Sequence, residues 1–120
     1  LVCEKESTFS SLLTPRKLLQ LLGTECGRQI IHPNIWVNAL FADYTPLTSW
    51  LVTDVRFPNE CQAIKNRGGI VIKINRDFDV VDNHSSETAL DNYNGFDFVV
   101  DNNGSIDDLT NNLIKIINND

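Results

Sequence analysis

The stretch WLVTDVRFPNE, Trp50 to Glu60, changes character halfway along. Its first part, Trp50 to Val55, is short and apolar, the pattern of a strand covered on both faces. Pro58 then stands where a helix can open, and the helix it predicts carries Ala63 and Ile64 and stops at Gly68-Gly69. A buried strand running straight into a helix is the repeating unit of a layered α/β sheet. Downstream, Ile70–Ile74 (IVIKI) reads as a second strand and Phe96–Val100 (FDFVV) as a third. Ser105 with Asp108 resembles a capping box that uses Asp in place of Glu, and Ile106, Leu109, Leu113, Ile116 and Ile117 follow at helical spacing. Strand, helix, strand, excursion, strand, helix is the order of an α/β domain.

Upstream, Thr14 is a good N-cap and Pro15 suits the first helical position, with Leu18, Leu19, Leu21 and Leu22 behind them. Gly23 and Gly27 are the points where that helix is open to interruption. His32 reads as helping to start a second helix at Pro33, whose apolar face is Ile35, Trp36, Ala39, Leu40 and Phe41. Trp36 is read as core, with stacking on a base as the alternative. Residues 1–13 read as a tail or the remnant of a truncated element, and 76–94 as a polar, lid-like excursion holding one short helix over Ser85–Leu90.

The bulk numbers fit this picture. With 120 residues, 42% hydrophobic and 22% charged, the chain suits a single globular domain with a core of its own. Its formal charge of −6 repels a nucleic-acid backbone while leaving room for one basic pocket. No apolar run approaches the roughly 20 residues of a membrane helix and no signal peptide opens the chain, so a cytoplasmic protein is expected. Cys3, Cys26 and Cys61, odd in number and without a CxxC pattern, read as free thiols, and no metal ligands are assigned. The absence of Met means that Leu1 is no translation start as written, so a processed chain, a fragment or an engineered one is expected.

The charge in TDVRFPNE needs its own account. Ligands of open α/β sheets bind beyond the carboxyl ends of the strands. Asp54 and Arg56, two apart in extended backbone, share a face there, and Glu60 falls in the first helical turn after Pro58. An arginine so placed can grip a phosphate bidentately while the carboxylates orient the ligand. Equally, Asp54, Arg56 and Glu60 can form an internal ion-pair knot, and spacing leaves the two readings level. On the first helix Arg16, Gln20, Thr24 and Arg28 are spaced by four, which draws one polar stripe opposite the leucines. Two arginines ending an uncharged stripe suit an anion with a hydrogen-bonding body, such as a nucleotide; a solvated helix face is the alternative. Asn59, Arg76, His84 and Glu87 are secondary candidates, as are Gln20 and Trp36. Nothing near His84 in sequence completes a nucleophilic triad.

In order, TPRKLLQLLGTECGR (Thr14–Arg28), Trp36, TDVRFPNE (Thr53–Glu60), Arg76 and HSSE (His84–Glu87) resemble the bacteriophage deoxynucleoside monophosphate kinases, over Thr14 to Leu109. The resemblance implies a P-loop-kinase-like fold, a three-layer parallel sheet flanked by helices, and transfer of the ATP γ-phosphoryl, with magnesium, to a deoxynucleoside monophosphate. It carries substrate binding onto Arg16, Gly23, Thr24, Arg28, Asp54, Arg56 and Glu60, with Arg28 and Arg56 as the catalytic candidates, and places Arg76 and HSSE in a lid. That family's phosphate-cradling loop lies upstream of the TPR motif, and only thirteen residues precede the motif in this sequence. No GxxxxGK[ST] occurs in them or beyond. The resemblance therefore implies a fold truncated at its N-terminus, which holds the nucleotide acceptor without binding ATP or magnesium by itself and is inactive alone. The alternative is a non-catalytic nucleotide-binding or oligomerising module. A truncated sheet exposes an edge that invites a second copy of the chain. If phage-encoded, the chain belongs in the host cytoplasm.

Overall fold

The computed structural model describes residues 13–77 and 83–118. The expected tail thus falls outside the described residues except for Leu13, and the expected excursion is described apart from 78–82. Helix α1, Pro15–Gln20, begins as its sequence dictates: Pro15 is at the first turn, and Lys17 N donates to Thr14 Oγ1 at 3.2 Å. At Leu21 the winding changes to a π-helix that continues to Ile31. Bonding from i to i+5 puts more residues in each turn than the 3.6 of an α-helix, so residues four apart lie more nearly in line. The stripe from Gln20 through Thr24 to Arg28 therefore survives the change.

The next helix, α2 (Ile35–Phe41), starts two residues after Pro33. His32 closes the π-helix and its Nδ1 accepts from Asn34 N at 3.0 Å, so the intervening turn uses up Pro33 and Asn34. Helix α3 (Pro58–Lys65) opens on Pro58, and Glu60 Oε2 reaches back to accept from Arg56 N (2.8 Å) and Phe57 N (3.1 Å). It ends as glycine permits: Gly68 takes φ +78° and Gly69 N donates to Ile64 O at 3.1 Å. Arg67 then lies over the Phe41 ring, 4.0 Å from its centroid, and ties α3 back to α2.

Strands β1 (Ile72–Asn75) and β2 (Phe98–Asp101) pair in parallel, Ile72 opposite Phe98 and Asn75 opposite Asp101. The connection between them holds the short helix α4, Ser85–Thr88. Lys65 Nζ donates to Asp97 Oδ1 (2.8 Å) and Val71 N donates to Asp97 Oδ2 (2.8 Å), a clasp at the mouth of the strand pair. These bonds lower the Asp97 pKa, with the Lys65 contact the larger cause, and the same contact raises that of Lys65. Helix α5, Ile106–Asn118, has the expected capping box: Asp108 N donates to Ser105 Oγ (3.2 Å) and Ser105 N to Asp108 Oδ2 (3.0 Å). It packs on β2.

Three expectations are corrected. The run Trp50–Val55 is not a strand; among the described residues the sheet has β1 and β2 alone. An apolar run encodes burial, whereas a strand also needs a neighbour to take its backbone bonds. Leu51, 89% exposed, lacks even the burial. Trp36 is not core, being 46% exposed, because its indole closes over the π-helix from outside. Third, the core is thin: Cys61, Ala63, Val71 and Val100 are the buried apolar residues described, while Leu47 and Ile106 stand open. What exists is a small α/β domain with a two-stranded parallel sheet and helices around it.

Candidate functional site

A cavity of about 440 Å³ opens between the first helical segment, the Asp54–Glu60 stretch that leads into α3, and helix α4. The whole polar stripe faces it: Arg16 and Gln20 from α1, then Gly23, Thr24 and Arg28 from the π-helix. Asp54, Arg56 and Glu60 close the opposite wall, Trp36 edges it, and Glu87 enters from α4. Segments far apart in sequence thus meet at one mouth. Among the other candidates, Asn59, Arg76 and His84 do not line it.

The three arginines are held differently. Arg28 is sunk, its side chain 10% exposed. Its Nη1 donates to Glu60 Oε1 at 2.9 Å, its Nη2 donates to Asn59 Oδ1, and the guanidinium lies 3.8 Å from the Phe57 ring centroid. Asn59 in turn donates to Pro33 O (3.2 Å) and Asn34 Oδ1 (2.7 Å), so this group joins the π-helix, α2 and α3. Arg56 is more open, at 40%; its Nε donates to Asp54 Oδ1 at 2.8 Å and its Nη1 to Glu87 Oε1. These carboxylates raise the Arg56 pKa, Asp54 contributing most. Arg16, 69% exposed, brings its Nη1 to 3.7 Å from that same Glu87 oxygen. The ion-pair reading of TDVRFPNE is thus realised for Asp54 and Arg56, whereas Glu60 pairs with Arg28.

Behind the wall lies a relay that sequence reading missed. Ser86 N donates to His84 Nδ1 (3.2 Å), which leaves the ring proton on Nε2 to be donated to Glu25 Oε1 at 2.8 Å. Ser86 Oγ sits 2.8 Å from His84 Nδ1 and faces the cavity. The bond from His84 holds the Glu25 carboxyl below its usual pKa. Glu25 Oε2 is buried and is the one such side-chain atom among the described residues without a partner. His84 so links α4 to the π-helix. No local signal could have announced this, because 59 positions separate the two residues.

The two glycines do different work. A Cβ on Gly27 would meet Trp36 Cζ2 at 2.8 Å, so this glycine lets the indole close down. Trp36 Nε1 then donates to Gly23 O at 2.8 Å. At Gly23 a Cβ would meet nothing within 4 Å. The chain's own packing does not demand glycine there, on the cavity wall.

Fold and site together define a small α/β domain whose cavity brings together three arginines, three carboxylates and several hydrogen-bonding groups. The family model for deoxynucleotide monophosphate kinase matches residues 2–113, and the chain belongs to this family. The chain is 33% identical over 98 residues to the deoxynucleoside-5'-monophosphate kinase of Escherichia phage T5, covering 72% of this chain and 39% of the relative. A protein of Acanthamoeba polyphaga mimivirus, provisionally named as a deoxynucleotide monophosphate kinase, is 33% identical over 120 residues, 88% of this chain and 62% of its own. The deoxynucleotide monophosphate kinase of Escherichia phage RB69 is 29% identical over 108 residues, 85% of this chain and 44% of the relative. The chain spans less than two thirds of the length of each. No solved structure matches it.

Proposed function

We propose that this chain supplies the acceptor half of a deoxynucleoside monophosphate kinase, with the monophosphate held at Arg16 and Arg56 and the nucleoside against the Gly23–Thr24 wall. The observation that carries the reading is the convergence of two partly exposed guanidiniums on one carboxylate oxygen at the mouth of the cavity. Family membership supports a deoxynucleoside monophosphate as the substrate class. Planar guanidiniums match the oxygens of a phosphoryl group, and their fixed charge neutralises it at any physiological pH. Arg28 supports the seat from behind by fixing Glu60 and Asn59. Asp54 holds Arg56 through Nε while Nη1 bonds Glu87, another residue of the cavity wall. Trp36 and Gln20 border the space left for the sugar and base.

The resemblance also implies ATP and magnesium for the parent enzyme. Among the described residues no group of three or more His, Cys, Asp or Glu could hold a metal ion, and the sequence contains no GxxxxGK[ST] loop. Without that loop this sequence does not fit the phosphates of a donor nucleotide. The role of this chain is to bind and orient the acceptor. Among the described residues no helix is long and apolar enough to cross a membrane.

Titration calorimetry with each of the four deoxynucleoside monophosphates, beside a coupled ATP-consumption assay, tests this reading. We expect saturable one-to-one binding of at least one of them without turnover by this chain alone. Failure of all four to bind would end the proposal, and turnover would refute the claim that only the acceptor half is present.

A further inference from the structure

Arg16 and Arg56 come from separate segments, yet both turn to a single oxygen, Glu87 Oε1, on the short helix α4. We infer that Glu87 occupies the seat of the acceptor's phosphoryl group and is an internal competitor that the incoming monophosphate displaces. This rests on the function proposed above and adds a residue that sets the affinity of its site. Arg56 Nη1 hydrogen-bonds this oxygen and Arg16 Nη1 stands 3.7 Å from it, so two guanidiniums flank one anionic oxygen, as they would flank a phosphate. A carboxylate offers this pair one negative charge and two oxygens. A phosphoryl group brings about two charges and three oxygens, so exchange favours the ligand.

Glu87 is also free to leave without taking its helix apart. The backbone of α4 is held at its start by His84, whose Nδ1 accepts from Ser86 N and whose Nε2 bonds Glu25. Neither contact involves the Glu87 carboxylate. Arg56 would keep Asp54 on Nε during the exchange and lose only its Nη1 partner. The contrast with Glu60 is direct. That carboxylate accepts from Arg28 and from two backbone N–H groups at the start of α3, and its departure would undo a helix cap.

An ordinary structural ion pair and an internal competitor respond oppositely to neutralisation. We expect Glu87→Gln to bind the preferred deoxynucleoside monophosphate about three- to fivefold more tightly than the unaltered chain, the scale of a partly exposed ion pair. Affinity for the corresponding unphosphorylated deoxynucleoside should not move, because only the phosphoryl group competes. Calorimetric titration of both ligands into the unaltered chain, Glu87→Gln and Glu87→Ala reads this out, with urea midpoints showing that each variant is folded. Tighter monophosphate binding in either folded variant, at constant nucleoside affinity, supports the inference. Equal or weaker monophosphate binding in the variants, with the unaltered chain still binding, overturns it and leaves the acceptor site standing. Absence of monophosphate binding in all three proteins removes the acceptor site itself, and the competitor with it.

Discussion

Arg28 and Arg56 lie on the same cavity, and sequence reading gave both the same task, yet the structure holds them in opposite ways. Arg28 is sunk in a group with Glu60, Asn59 and the Phe57 ring that joins three helical segments. Arg56 stands at the mouth, with Asp54 70% exposed on one side and the Glu87 carboxylate on the other. Burial and the number of committed bonds decide what each can do. A buried cation bonded through both Nη groups is costly to disturb, whereas an exposed pair is worth little to the fold.

The sharpest way to break the comparison is Arg28→Ala. It strands Glu60 with its main partner gone and removes the cation from Phe57, and we expect a loss of about 2–3 kcal/mol in urea-denaturation stability. Gly27→Ala comes next: the added methyl meets the Trp36 ring and should cost about 1–2 kcal/mol, whereas Gly23→Ala meets open space and should be neutral or stabilising by about 0.5 kcal/mol. Under the proposed function Gly23→Ala nonetheless weakens nucleotide binding, and calorimetry separates that loss from stability.

A clasp outside both regions gives a pH signature. Asp97 has a lowered folded-state pKa, so between its folded and unfolded values the unfolded chain binds more protons. Its stabilisation is present above the ordinary carboxylate range and is lost as pH falls through the folded pKa. Urea midpoints followed downward from neutrality should decline across that window, and Asp97→Asn should flatten the decline. The smallest effect is expected for Asp54→Ala. Its carboxylate is largely in water, and a stability change of no more than about 0.5 kcal/mol would mark the mouth as mechanically unimportant to the fold.

Features with purely local causes were legible in the sequence. Thr14-Pro15 starts a helix, Gly68-Gly69 ends one, and Ser105 with Asp108 caps another, because each of these works within a few residues. The stripe from Arg16 to Arg28 was legible for the same reason, and all four of its members line the cavity. Trp50–Val55 misled because apolar content announces burial but says nothing of a ladder partner. Glu25 was missed because its partner His84 reaches it only through the tertiary fold. The different settings of Arg28 and Arg56 were equally hidden, since identical residue types differ in burial and partners only through the tertiary fold.

The most direct test of this account is the affinity of Arg56→Ala for the deoxynucleoside monophosphate that binds the unaltered chain best, measured beside its urea midpoint. We expect binding to weaken about ten- to hundredfold, the loss of charge-assisted hydrogen bonds to the phosphate, while stability shifts by less than about 1 kcal/mol. Undiminished affinity in a folded Arg56→Ala chain would contradict the assignment of the phosphate seat.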